Sequence, residues 1–234
     1  MGKITLLPDN VFIHRQRFGR PFVTLSYAQS LDGCIAAEPG QPFPLSGQEA
    51  LQLTHQLRAA HDAILVGIGT VLADDPQLNV RLAPGKNPQP VVVDSKLRFP
   101  LNAQLLQKTP APWIVTTQIE SPRREQLTAK GAEVLSVPAS PNGRANLKAL
   151  LNQLVEMGIN TLMVEGGAGI ITSFLAERLV DRLILTIAPV YVGGYHAINT
   201  LSQPFPYLCN TRSHQLGHDL IVTGDFAWED ACND

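Results

Sequence analysis

The hydrophobic positions of this chain fall into short continuous runs separated by segments of helical period, and that alternation sets the fold class. Residues 22–26, 63–66, 90–94, 113–117, 133–137 and 161–165 are each a short stretch bounded by turn residues, as expected of strands buried on both faces. Residues 182–188 and 220–227 complete the predicted strands. Helical spacing occupies residues 123–130, 147–157 (closed by Gly158) and 170–178. An earlier helix is predicted to start at Ser46, where Glu49 three positions on completes a capping-box pattern. That helix places Ala50, Leu53, Leu57 and Ala60 on one face and Gln52, His55 and Gln56 on the opposite, solvent-facing one. Alternating strands and helices predict an α/β domain with a largely parallel sheet. The last strands have no clear helix between them, which predicts an antiparallel edge and so a mixed sheet. No repeat or linker divides the chain. A single domain is expected, with residues 21–227 as its core and 1–20 as an N-terminal extension.

Composition narrows the partners. With 234 residues, 44% hydrophobic and 16% charged, the chain can bury a sizeable core and is not of disordered type. A net charge of −2 argues against nucleic acid as the main partner, while leaving local basic clusters able to hold a phosphorylated small molecule. Cys34, Cys209 and Cys232 form no C-x-x-C pair, so they read as free thiols of a reducing cytosol. Residues 1–20 lack a leader-like apolar stretch, and no run of about 20 apolar residues occurs, so a cytoplasmic protein without a membrane span is expected. His214 and His218 are four apart, but Gly217 lies between them and no third ligand is evident; no metal site is expected.

Ligands of open α/β sheets lie beyond the carboxyl ends of the strands, and two such ends here are glycine-rich. One is Gly67-Ile68-Gly69-Thr70; the other is Gly166-Gly167-Ala168-Gly169, leading into Ile170 and Ile171. Glycine permits a tight turn and lets a diphosphate approach the N–H groups of a helix start. Neither completes G-x-G-x-x-G, because Leu72 and Thr172 occupy the third glycine positions. Each alone can equally be a plain strand-to-helix turn; two in one small domain point to a nucleotide. A third strand end, Asp94-Ser95-Lys96-Leu97-Arg98, offers a hydroxyl and two cations to a 2′-phosphate, which favours NADPH over NADH. Asp32 is either catalytic or an ordinary Asp-Gly turn residue, and Glu165 ends a strand just before a glycine turn.

These motifs, in this order, resemble the reductase domain of the riboflavin-biosynthesis deaminase-reductases and the stand-alone reductases of archaea and fungi. The matching stretches are S-L-D-G at 30–33, L-R-A at 57–59 and D-A-I-L-V-G-I-G-T-V-L-A-D-D-P-Q-L-N-V-R at 62–81. They continue with V-V-V-D-S-K-L-R at 91–98, P-L-N-A at 100–103, V-E-G-G-A-G at 164–169 and A-P-V-Y-V-G-G at 188–194. Residues 70–76 are the most specific element. The resemblance implies a dihydrofolate-reductase-like, three-layer α/β/α fold with a mostly parallel mixed sheet, assembled as a homodimer. It also implies NADPH-dependent reduction of the ribose of a 6-(5-phosphoribosylamino)pyrimidine to a ribityl chain.

On the same resemblance, Gly67, Thr70, Asp74 and Ser95 contact the cofactor, with Gly167, Ala168, Gly169, Ile170, Ile171, Thr172 and Ser173 around its diphosphate. Arg58 and Arg81 would hold the substrate phosphate, with Leu78 against the pyrimidine. Asp32 and Glu165 would line the reacting end, Glu165 also touching substrate. No H-x-E followed by P-C-x-x-C occurs, so no deaminase domain is expected here and a separate deaminase is expected elsewhere. The chain departs from the family at Pro42-Phe43-Pro44, where relatives often place a polar residue and then an aromatic or basic one. Two rival readings remain at this point. One is the same fold and cofactor acting on dihydrofolate or another pterin, which lacks a sugar phosphate for the arginines. The other is a nucleotide-binding homologue without catalysis, against which the presence of Asp32, Glu165, Arg58 and Arg81 together weighs.

Overall fold

The computed structural model describes residues 4–228. In chain order the elements begin with α1 (Val11–Phe18), β1 (Phe22–Ser30), β2 (Cys34–Ala36), α2 (Gln48–Ala60), β3 (Ala63–Gly67) and α3 (Ile68–Asp74). Then come β4 (Gln89–Val93), a single 3-10 turn (Gln104–Gln107), β5 (Trp113–Thr116), α4 (Pro122–Ala129) and β6 (Glu133–Ser136). The chain continues through α5 (Leu147–Glu156), β7 (Thr161–Val164), α6 (Ala168–Ala176) and β8 (Arg182–Ala188). It closes with β9 (Tyr195–His196), β10 (Tyr207–Leu216) and β11 (Asp219–Ala227).

The buried apolar runs pair with one another, since strands covered on both faces have no water to satisfy their backbone groups. They form a nine-stranded sheet in the order β10-β11-β8-β1-β7-β3-β4-β5-β6. Strands from β8 to β6 are parallel, and β11 and β10 add an antiparallel edge, as the missing helix between them predicted. Alternation within each strand feeds two cores. Leu65, Val91, Leu162 and Val164 meet Leu147, Leu150, Leu151 and Leu154 of α5 and Ile171 and Phe174 of α6 on one face. Ile64, Val66, Val92 and Met163 meet α2, α3 and α4 on the other, through Leu53, Leu57, Val71 and Leu127. The result is three layers, α/β/α. β7 fills the place between β1 and β3, while β4, β5 and β6 step away on one side and β8 lies on the other. Strand order therefore reverses at β7, which opens a crevice above the carboxyl ends there.

Several local expectations are corrected. Ser46 does not cap α2: Gly47 is the N-cap, without a side-chain cap, and its own N–H donates to Asp219 Oδ2 at 2.7 Å. The buried Asp219 carboxylate, from the far end of the chain, replaces the capping box, and Glu49 turns toward Gly217 instead. His55, assigned to the solvent face, is buried. α1, β2, β9 and β10 lie outside the elements that the sequence predicts. Cys34 is free and buried, but Cys209, half-buried on the edge strand β10, is disulfide-bonded, contrary to the free-thiol expectation; Cys232 lies outside the described residues. Among the described residues no helix is long and apolar enough to cross a membrane.

Candidate active site

Beyond the carboxyl ends of β3, β4 and β7, the loops enclose a cleft of about 650 Å3, within the range of small-molecule and cofactor sites. Its floor is made by the starts of α3 and α6. The Gly167 N–H donates to Thr70 Oγ1 at 3.3 Å, tying the two starts together. They can approach because two residues lack side chains. A Cβ on Gly67 would lie 2.6 Å from Ile170 Cγ1, and one on Gly166 would lie 2.9 Å from Ile170 Cγ2. The first N–H groups of α6 have no helical acceptor and carry the positive end of its dipole, so an anion is favoured beside Ala168 and Gly169. Gly67, Thr70, Asp74, Ser95, Gly167, Ala168, Gly169, Ile170 and Ser173 all line this cleft. Ile171 and Thr172 do not. Helical rotation turns Ile171 into the core and leaves the Thr172 hydroxyl accepting the Asn199 N–H at 2.9 Å.

One end of the cleft is basic. Lys96 and Arg98, which follow β4, are joined there by Arg144 from the loop between β6 and α5. Ser95 Oγ accepts the Ala145 N–H at 2.9 Å and so docks the Arg144 loop. Asp94 beneath is fully buried; it accepts the Phe99 N–H at 2.8 Å, and burial raises its carboxyl above the usual range. Arg144 was missed by sequence reasoning, and its one signal was the Asn142-Gly143 turn before it. Ile35, Ala36 and Tyr195 from β2 and β9 form another wall, together with Phe43. The departing Pro42-Phe43-Pro44 stretch thus brings an aromatic ring to the cleft.

Beside the cleft lies an ionic cluster. Arg58 Nε and Nη2 donate to the two Glu165 oxygens at 2.9 and 2.5 Å, and Nη1 donates to the Asn79 carbonyl at 3.1 Å. The Arg58 side chain is 10% exposed and that of Glu165 26%. Arg81 is exposed; its Nη1 donates to Asn79 Oδ1 at 3.0 Å and its backbone N–H to His55 Nδ1 at 3.1 Å. The expected two-arginine clamp is therefore divided: Arg58 is committed to a carboxylate, whereas Arg81 faces solvent. Leu78 is 3% exposed and packs into the core under a left-handed φ of 46°, so what it can offer a ligand is its backbone.

Asp32 is held apart from both. Its carboxylate accepts from Ser30 Oγ at 2.5 Å, from the Gly193 N–H at 2.6 Å and from the Val192 N–H at 3.1 Å. The Ser30 hydroxyl above all, then the Gly193 and Val192 amides, hold its pKa far below the usual carboxylate range. Such a group is a poor proton donor, and it clamps the turn after β1 to the loop at 192–193. Asp32→Asn is expected to lower the melting temperature, because an amide NH2 would face backbone N–H donors. The clamp should contribute above the ordinary carboxylate pKa of about 3.9 and fade as pH falls through the depressed folded value. A kcat loss of roughly 10²–10⁴-fold at unchanged melting temperature would instead restore a proton-transfer role. Among the described residues no group of three His, Cys, Asp or Glu side chains gathers that could hold a metal ion.

A cleft at the reversal of strand order, floored by two helix starts and closed by cations, defines an α/β protein with a cofactor-sized cleft and a carboxylate–arginine pair beside it. The chain belongs to the RibD C-terminal domain family, whose model matches residues 21–222. It is 41% identical over 214 residues to the 2,5-diamino-6-ribosylamino-4(3H)-pyrimidinone 5′-phosphate reductase of Methanothermobacter thermautotrophicus, covering 87% of this chain and 97% of that protein. It is 37% identical over 209 residues to riboflavin biosynthesis protein RibD of Aquifex aeolicus, covering 87% of this chain but only 57% of that one. The solved structure of Acinetobacter baumannii RibD superposes with a TM-score of 0.80 at 28% identity, over 93% of this chain and 61% of that chain. A dihydrofolate reductase from Enterococcus faecalis complexed with NADP(H) shares the fold at a TM-score of 0.51 and 14% identity, over 87% of this chain and 96% of that one. The expected dihydrofolate-reductase-like architecture is thus the one observed.

Proposed function

We propose that this protein reduces the ribose of a 6-(5-phosphoribosylamino)pyrimidine to the ribitylamino product in riboflavin biosynthesis, with NADPH as reductant. The observation that carries the reading is the position of Glu165. It directly follows β7, is fixed in two places by Arg58, and is followed at once by the Gly166-Gly167 turn that enters the cleft. Relatives named as pyrimidinone phosphate reductases supply the reaction class, and a reductase of this fold works with a nicotinamide cofactor.

The residues present fit such a cofactor. The α6 start suits its diphosphate, the open space over Gly69 and Gly169 admits close approach, and Lys96, Arg98 and Arg144 suit a 2′-phosphate. Opening the ribosylamine breaks the bond from C1′ to the ring oxygen, which takes a proton from solvent, while the nitrogen lone pair forms a C1′=N iminium. Glu165, its charge and orientation set by Arg58, stabilises that cation. A nicotinamide cofactor held by the α6 start and the basic end of the cleft would supply a hydride for C1′, with the C1′=N electron pair returning to nitrogen. Arg81 holds the 5′-phosphate, and backbone at Leu78 borders the pyrimidine. Asp32 positions the loop at 192–193 against β1. The continuous sheet supports treating residues 21–227 as one reductase domain, and the family reading extends to a cytoplasmic homodimer working with a deaminase.

NADPH oxidation, with phosphorylated pyrimidine and dihydrofolate supplied separately, tests the assignment; turnover of dihydrofolate alone would overturn it. NADPH should also bind more tightly than NADH. Replacing Lys96 and Arg98 by Ala should narrow the gap by up to a few kcal/mol, charged hydrogen bonds being worth about 1.5–3 each. Equal affinity of the unmutated protein for the two cofactors would remove the 2′-phosphate site.

A further inference from the structure

His55 takes no part in the roles assigned so far. It is 1% exposed on α2, one turn before Arg58, and its Nδ1 accepts the backbone N–H of Arg81 at 3.1 Å. Burial first, then the Arg58 and Arg81 charges, push its pKa down to about 4, so the ring is neutral near pH 7. Since Nδ1 accepts, the ring proton resides on Nε2.

The bond matters because of where it lands. Residues 75–88 contain no helix or strand, and Leu78 within them is left-handed, so no ladder of backbone bonds sets this segment. Side chains do so instead. Asn87 Oδ1 accepts the Val80 N–H at 2.8 Å, and His55 accepts that of Arg81. Arg58 donates to the Asn79 carbonyl from the same helix that carries His55. One helix thus orients Glu165 through Arg58 and fixes the backbone at Arg81 through His55.

We propose that His55 is a positioning residue for substrate, its Nδ1 holding the Arg81 backbone so that the guanidinium stands at a set place relative to the Arg58–Glu165 pair. The proposal rests on Arg81 as the phosphate ligand. Two near-isosteric variants test it. In His55→Asn the amide Oδ1 is as many bonds from the backbone as Nδ1 and can still accept; in His55→Gln the acceptor moves outward to the place of Nε2. His55→Gln should raise KM for the phosphorylated pyrimidine roughly tenfold, the scale of one hydrogen bond. Its NADPH affinity and its KM for the dephosphorylated pyrimidine should not change, and kcat for the phosphorylated one should fall by less than KM rises. His55→Asn should rescue KM, and adding His55→Gln to Arg81→Ala should cost nothing further. Equal KM values for the Asn and Gln variants, or weakened NADPH binding in the Gln variant, overturn the proposal, because a residue that only fills space draws no such distinction. A KM raised by Arg81→Ala but not by His55→Gln sinks this proposal alone. An unchanged KM in Arg81→Ala sinks the phosphate assignment and this inference with it.

Discussion

Arg58→Ala is expected to remove most turnover with the phosphorylated and the dephosphorylated pyrimidine alike, and to lower stability at the same time. The reason is the bidentate pairing with Glu165, in which two parallel N–H donors meet two carboxylate oxygens. Truncation leaves the Glu165 carboxylate at a strand end without its counter-charge and frees the Asn79 carbonyl. Breaking a buried pair from one side costs about 3–5 kcal/mol, and the lower end applies here because Glu165 is partly open to solvent. Turnover should fall as well, since Glu165 would lose the orientation in which we propose it meets the developing cation. Arg58→Lys should recover only part of either effect, an ammonium being unable to span both oxygens in one plane. Denaturant midpoints and kcat/KM with both substrates decide the matter. A loss confined to the phosphorylated substrate, without destabilisation, would return Arg58 to the phosphate clamp that the family pattern suggested.

What the chain discloses before folding depends on how far away the partner of each residue lies. β3, β4, β5, β6 and β7 are legible to within a residue or so because burial on both faces writes itself as an apolar run. β10 is not. It is an exposed edge whose middle reads Asn210-Thr211-Arg212-Ser213-His214, with no apolar face to announce it. β2 and β9 span three and two residues, too short for any period to show. The N-cap of α2 fails for another reason, as its acceptor comes from Asp219, 172 residues away. The site divides along the same line. The glycine turns and Glu165 are visible because a strand end followed by glycine is a local pattern. The partner of Arg58 is 107 residues distant, so a buried counter-ion resembles a surface charge until the sheet brings the two together. His55 looks solvent-facing on a helical wheel, yet the segment at 78–81 covers it. Asp32 looks catalytic until the amides of Val192 and Gly193 fill its lone pairs.

The most selective expected result concerns Arg81. Arg81→Ala should raise KM for the phosphorylated pyrimidine by about tenfold to a hundredfold or more, a lost charged hydrogen bond being worth about 1.5–3 kcal/mol. The fold should not respond. The guanidinium is exposed and its contact is with Asn79, two residues away, while the backbone N–H that meets His55 survives the substitution. Affinity for NADPH should likewise stay as it is, because Arg81 does not line the cleft proposed for that cofactor. The dephosphorylated pyrimidine should begin from a high KM and lose little more on mutation. Its kcat should already be reduced, because binding energy at the remote phosphate helps to hold C1′ in place for reduction. Exposure adds a second signature: added salt screens an open phosphate contact, so raising ionic strength should increase KM for the phosphorylated substrate in the parent protein and less so in Arg81→Ala. If kcat/KM is the same with and without the phosphate, Arg81 is an ordinary surface charge, and an acceptor without a phosphate becomes the better substrate for this cleft.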